Sequence, residues 1–258
     1  MSIGRRAAVF GGIALAACPA EAAPLAAVPI DRLQTKWWRL KHEAKLREKQ
    51  AGPVDLVFLG DSITENYEKS AAPAIADFRP VWQRFYGDRR ALNLGFAGDA
   101  TSHLLWRMMN GEIDGISPKA VVILIGANNL GRAHWPTADN VAGIAAVVAT
   151  ARQKLPKTQI LLLGILPSVR SAWASQTTAE VNAALAKRYA TGNEAMVTYR
   201  DVGHVLERGG LADPALFYDP NLSPPEPALH PSPEGMARIA AAIEPVLAGM
   251  MGDRRHGS

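Results

Sequence analysis

Asp55-Leu-Val-Phe-Leu-Gly60 is an unbroken apolar run that ends in glycine and passes at once into Asp61-Ser62-Ile63-Thr64. A short run that is apolar at every position, not at every second one, is what a strand covered on both faces requires. Three further runs have much the same character, Ala91-Leu-Asn-Leu-Gly95, Ala120-Val-Val-Ile-Leu-Ile-Gly126 and Gln159-Ile-Leu-Leu-Leu-Gly164, and Val197-Thr-Tyr-Arg-Asp-Val202 is the expected fifth strand. Helical spacing fills the gaps, at about 62–86, 100–114, 137–154 and 176–191, with a last helix at 232–250. Strands of this kind with a helix at every crossover predict a doubly wound α/β fold: a mostly parallel five-stranded sheet with helices on both faces. The glycine- and proline-rich stretch 203–231 is expected to be a long loop over one end of that sheet.

Upstream, Asp31 to Gln50 has helical periodicity, with Leu33, Trp37, Leu40 and Ala44 on one face and most of the Lys and Arg off it. Asp31 is the expected N-cap, Gly52-Pro53 the stop, and the pair Trp37-Trp38 is expected to pack as core. Residues 1–23 read as an export signal: Arg5 and Arg6, the apolar stretch Ala7 to Ala17, then Ala20-Glu21-Ala22 as a small-x-small cleavage site. That stretch is shorter than the ~20 residues of a membrane span. Leu15-Ala16-Ala17-Cys18 also has the form of a lipobox (15–18), in which Cys18 would carry a lipid anchor, and the two readings stay open. Either one puts the protein outside a bacterial cytoplasm. Residues 30–250 form a single domain, without repeat or linker, and 251–258 are expected to be a flexible tail.

Composition excludes several classes. Of 258 residues, 48% are hydrophobic and 20% charged, which rules out a disordered or fibrous chain. One cysteine leaves no internal disulfide. The net charge of +4 is spread among 28 basic and 24 acidic residues, with no basic stripe for a nucleic acid. No two histidines have metal-ligand spacing, and no loop satisfies a nucleotide-binding pattern, so neither a metal nor another cofactor is expected.

Chemistry in open α/β sheets collects at the carboxyl ends of the strands. The first strand is followed by Asp61-Ser62, the second by Gly95-Phe-Ala-Gly98-Asp99, the third by Gly126-Ala-Asn128-Asn129, and the last helix is preceded by His230-Pro231-Ser232. A hydroxyl, an imidazole, a side-chain amide and backbone N–H groups near a glycine are the minimum kit for acyl transfer through a tetrahedral intermediate. Each alone has a plainer reading: a turn at Ser62, a tight bend at Gly98, a helix cap at Asn128 or Asn129, a loop histidine at His230. Their arrival in order at successive strand ends favours the chemical one. His103 is expected to bond locally, while His134 and His204 lie in or near loops without partners.

These blocks resemble those of the GDSL, or SGNH, hydrolases, in particular the branch holding the catalytic subunits of brain-type platelet-activating-factor acetylhydrolase. Phe58-Leu-Gly-Asp-Ser-Ile-Thr-Glu65 is similar to the nucleophile block, Asn93 to Arg107 with Asn110-Gly-Glu112 to the second, Val121 to Asn129 to the third, and His230-Pro-Ser-Pro-Glu-Gly235 to the fifth. The resemblance implies a flavodoxin-like three-layer sandwich and an esterase for short, acetyl-like groups. By position it implies Ser62 as nucleophile, His230 as general base, and an oxyanion hole of Ser62 N–H, Gly98 N–H and the Asn128 amide. It leaves a homodimer open. An acetylated carbohydrate is the other substrate expectation, and a non-catalytic carbohydrate-binding protein on the same fold is the rival.

One departure stands out. The family's acid lies three residues before the histidine, where this chain has Pro227. Leu216-Phe-Tyr-Asp219 resembles the segment that normally ends in that acid, as if 221–228 were inserted. Asp219 is therefore the first candidate to orient His230, Glu226 the alternative, and a Ser–His dyad the third.

Overall fold

The computed structural model describes residues 22–70, 77–190 and 193–257, so all but the last two residues of the export signal read at 1–23, Cys18 included, lie outside the described residues. The five expected strands form: β1 (Leu56–Gly60), β2 (Ala91–Gly95), β3 (Ala120–Leu124), β4 (Gln159–Leu163) and β5 (Val197–Arg200). They make one all-parallel sheet in the order β2-β1-β3-β4-β5. Leu56 and Phe58 point to one face and Val57 and Leu59 to the other, as the two-residue period of a strand dictates. Two separate cores result, which is why β1 is apolar at every position.

One face is covered by α3 (Arg79–Tyr86) and α8 (Pro233–Met251), with Phe78, Phe85, Tyr86, Ile239 and Leu247 packed on the sheet. The other carries α4 (Thr101–Arg107), α6 (Thr137–Lys154) and α7 (Ala172–Arg188), through Leu104, Val148 and Leu185. The strand order reverses direction between β1 and β3, the place where ligands bind in sheets of this type.

Several helices differ from expectation, each for a local reason. The span 62–86 is not one helix: α2 (Ser62–Glu65) is a single turn that runs into a 3₁₀ turn at Asn66–Glu68, and α3 starts afresh with Pro80 in its first turn. The 100–114 helix ends at Arg107 and passes into a π-turn, which Gly111 closes at φ 104°. The helix expected from 176 begins at Ala172, because Ser171 caps it by accepting from Ala174 N–H (3.1 Å). A short helix, α5 (Ala127–Gly131), sits directly after β3.

The first helix is the largest correction. α1 runs Lys36–Gln50 and begins after a turn in which Asp31 bonds Leu33 N–H, so Asp31 is not its N-cap. Its buried face is Trp38, His42, Lys45 and Lys49, while Trp37 (44% exposed) and Leu40 (47%) point outward. Periodicity selected the opposite face because the buried one is held by polar bonds. Trp38 Nε1 donates to Asp99 (2.8 Å), His42 Nδ1 meets Glu112 (2.8 Å), and Lys49 Nζ donates to Asp114 O (2.6 Å). The tail expected at 251–258 begins inside α8, and its described part is tied down. The Arg89 guanidinium, 1% exposed, is shared by Glu244 and Asp253, and His256 N–H donates to Glu244 (2.7 Å). The 203–231 stretch holds 3₁₀ turns and a two-residue hairpin, β6 (Glu207–Arg208) with β7 (Leu211–Ala212).

Candidate active site

β1 delivers Ser62 to the switch point. Gly60 ends the strand, Asp61 accepts from Ile63 N–H (3.0 Å) to cap α2, and Ser62 is the first helical residue, so its N–H has no helical acceptor. α2 passes so closely over the end of β2 that a β-carbon on Gly95 would lie 2.2 Å from Glu65 N, which explains glycine there.

The histidine comes from the other end of the chain. A short antiparallel contact joins 216–218 to 230–232: Phe217 pairs with Pro231, Tyr218 N–H donates to His230 O (3.1 Å), and Ser232 N–H to Leu216 O (2.7 Å). This register sets Asp219 beside His230 although eleven positions separate them. His230 Nε2 is 2.9 Å from Ser62 Oγ, and His230 Nδ1 is 2.7 Å from Asp219 Oδ1. The second oxygen, Asp219 Oδ2, accepts from the backbone N–H of Leu229 (2.9 Å) and His230 (2.6 Å). Burial alone would raise the Asp219 pKa, but these donors, the imidazole first, hold it below the usual carboxylate value. Glu226, the alternative acid, is exposed, and its contact with Asp219 is only a backbone one. Residues 221–227 between acid and histidine are exposed, Pro227 among them, while Ala228 returns to the core. Tyr218 stacks on the imidazole at 5.4 Å between centroids, a contact the sequence reading did not single out.

The other proposed donors follow the ends of β2 and β3. Gly98 adopts φ 76°, a conformation that L side chains rarely enter, and its N–H meets no acceptor among the described residues. Asn128 Nδ2 donates one hydrogen to Asp99 O (3.0 Å), which fixes the amide and leaves its second hydrogen unused. Asn129 serves the frame: Oδ1 accepts from Thr101 N–H (2.9 Å) and Nδ2 donates to Thr101 Oγ1 (3.0 Å). Behind Gly98 lies a fully buried pair of ion pairs. Arg107 donates to Asp99 (2.8 Å), to Glu112, and to carbonyls near the ends of β1 and β2, Gly60 O and Leu94 O (3.2 Å each). Asp61 is completely buried, and the loss of hydration pushes its pKa up to about 6.

His103 Nδ1 accepts from Ala100 N–H (3.0 Å) at the start of α4, with its pKa lowered by burial. His134 lies 5.4 Å from the Trp173 ring. His204 lines a cleft of about 530 Å³ with Ser168, Asn182 and Asp201, between α7 and the 203–212 segment, and none of Ser62, Gly98, Asn128 or His230 lines it. Among the described residues no three metal-binding side chains come together.

A serine hydroxyl, an imidazole and a carboxylate thus stand in hydrogen-bond contact, in that order, at the switch point of a parallel α/β sheet. Residues 58–238 match the GDSL-like lipase/acylhydrolase family, and the chain belongs to that family. The bovine platelet-activating factor acetylhydrolase IB subunit alpha1 is 35% identical over 133 residues, 51% of this chain and 51% of the relative. The rat subunit alpha2 is 34% identical over 131 residues, 50% of this chain and 52% of the relative, so the chain spans about half the length of the curated relatives it matches. Among solved structures, a putative acylhydrolase from Bacteroides fragilis aligns with a TM-score of 0.64 at 20% identity, covering 83% of this chain and 98% of the other. An acetyl-xylooligosaccharide esterase mutant from Geobacillus aligns with a TM-score of 0.54 at 20% identity, covering 80% and 97%. At that identity the two structures bear on the fold.

Proposed function

We propose that the chain is an exported serine esterase that removes short acyl groups, acetyl foremost, from alcohol oxygens through an acyl-enzyme on Ser62. The observation that carries this reading is the unbroken chain of contacts from Ser62 Oγ through the His230 ring to Asp219. In the proposed reaction Ser62 Oγ attacks the ester carbonyl as His230 Nε2 takes its proton. The carbonyl oxygen becomes an oxyanion facing Ser62 N–H, Gly98 N–H and the Asn128 amide. His230 then gives the proton to the leaving alcohol, and water repeats the sequence to release the acid. Asp219 keeps the ring in the tautomer with Nδ1–H and stabilises the imidazolium.

An acetylated carbohydrate is the second reading of the alcohol. It is favoured by Trp173, 41% exposed in the first turn of α7 and paired with His134 of the segment after α5. Indole faces of this kind suit sugar rings. A binding protein without turnover has no use for so complete a proton path. A panel of acetyl, butyryl and octanoyl p-nitrophenyl esters, run beside acetylated xylan, tests the whole reading. Wild type should cleave the acetyl ester fastest, and Ser62→Ala should lose on the order of 10³-fold or more. Retained turnover in Ser62→Ala would remove Ser62 from the mechanism.

A further inference from the structure

We propose that Arg132 and Arg170 form an anion subsite at the rim of the oxyanion hole and select esters whose alcohol part carries a carboxylate or phosphate. This rests on the esterase reading above and narrows its substrate.

The argument is one of charge accounting around the donors. Most cations near the site are already matched. Arg32 donates to Asp99 (2.9 Å) and to Ala97 O (3.0 Å), Arg107 pairs with Asp99 and Glu112, and Lys41 pairs with Glu65 (3.1 Å) and Glu68 (3.1 Å). Arg32 and Arg107 together balance Asp99 and Glu112, so that buried group is neutral. Among the described residues Lys69 has no carboxylate within 4 Å, but its ammonium lies over the Tyr218 ring (5.4 Å to the centroid). This leaves Arg132 and Arg170 as the two cations beside α5 that, among the described residues, have no carboxylate within 4 Å.

Their placement is what makes the excess charge useful. A β-carbon on Gly98 would lie 3.4 Å from Arg132 Cζ, so this guanidinium rests directly against the proposed oxyanion donor. Arg132 is exposed at the end of α5, and its N–H bonds Asn128 O (2.9 Å), one turn from the other donor. Arg170 comes from the loop after β4. It donates to Ala127 O (3.0 Å), and its guanidinium lies over Gly131, in the space a β-carbon there would take. The same loop touches the histidine's loop through Val169 N–H to Ala228 O (3.0 Å). Both guanidinium groups thus sit against the backbone that carries the proposed donors, Arg132 at Gly98 and Arg170 at the start of α5 beside Asn128. Arg170 is half-buried, and the loss of hydration, offset only in part by the more distant Asp61 and Asp219, lowers its pKa. A partly buried cation without a close counter-charge is costly, and an incoming anion relieves that cost. The planar, forked guanidinium matches both carboxylate and phosphate.

The test compares matched esters on the intact protein: glycerol monoacetate against acetylated glycerol 3-phosphate, and an acetylated methyl xyloside against an acetylated methyl glucuronoside. The readout is the kcat/KM ratio of anionic to neutral partner. Wild type should favour the anionic member of one pair or both by about tenfold or more, the scale of a charge-assisted hydrogen bond. The pair that shows the preference identifies phosphate or carboxylate as the source. Arg132→Gln should bring the ratio down about tenfold, mostly through KM, and Arg132→Lys should restore part of it. Lys154→Gln, at the opposite end of α6, should leave the ratio as in wild type. Raising the salt from 0.05 to 0.5 M should shrink the preference, because the exposed Arg132 charge is screened. Arg170→Gln is a second variant, with its melting temperature followed since Arg170 also braces α5. Ratios near one in both pairs, with the neutral esters cleaved, overturn the anion subsite and leave the esterase reading standing. A ratio unmoved by Arg132→Gln also overturns it. No turnover of any ester sinks the esterase reading and the subsite with it.

Discussion

Asp219 shows how one carboxylate performs two tasks. One oxygen orients the imidazole at 2.7 Å, and the other takes two backbone N–H groups from the histidine's own strand. Asp219→Asn presents an amide where two N–H donors and the ring N–H converge, so the wrong tautomer is favoured. Turnover of p-nitrophenyl acetate should fall by up to about 10⁴-fold. Glu226→Gln, on the exposed bulge, should stay within about twofold of wild type. Equal losses in the two variants would return the acid's role to Glu226. At this scale the sequence was legible where a residue's chemistry and its strand-end position agreed, as for Ser62, Gly98, Asn128 and His230. The bulge that lengthens the path between acid and histidine did not hide Asp219, because Leu216-Phe-Tyr-Asp219 kept its resemblance and 221–228 could be read as inserted. The Tyr218 stack and the two unmatched arginines left no mark in the sequence, since each depends on which loops meet in space.

Among the elements, the seam between α2 and the ends of β1 and β2 carries the site. Gly95 lets α2 lie flat, and Arg107 binds carbonyls near the ends of both strands from below. Gly95→Ala drives a methyl group into the Thr64–Glu65 backbone, where no flexible side chain can yield. Overpacking of this kind costs about 1–3 kcal/mol, or a drop of about 2–10 °C in Tm for a domain of this size, readable by calorimetry. Acetyl-ester turnover should fall as well, because the displaced turn holds Ser62. β1 to β4 were legible because both of their faces are mostly apolar, whereas β5, at the sheet edge, is only partly buried and ends in the exposed Arg200. α1 was not legible. Its Lys45 and Lys49 bury long stems and bond carboxylates or carbonyls, whereas Trp37 and Leu40 face outward, so apolar periodicity pointed to the wrong side.

For the molecule as a whole, the buried acids set how stability depends on pH. Asp61 has a folded pKa of about 6 against 3.8 for the free side chain, so the folded state binds the extra proton between those values. Stability should therefore decline as pH rises from about 4 to 6 and then level off. The full contribution is on the order of 3 kcal/mol at 1.36 kcal/mol per pH unit. Asp219 acts with the opposite sign and in a different window: its depressed pKa gives stability that is lost as the medium is acidified below about 4. Urea unfolding from pH 4 to 7 should show the decline in wild type and a flatter curve in Asp61→Asn. An unchanged slope in the variant would clear Asp61 of the effect.

The clasp between Asp219 and the 229–230 amides has a consequence for how such a hydrolase diversifies. Because a carboxylate staples both feet of the intervening segment, the span it closes is free to lengthen, shorten or change composition while the reacting atoms stay where they are. Evolution, or an engineer grafting new sequence between Asn221 and Ala228, can redecorate the doorway without rebuilding the furnace behind it.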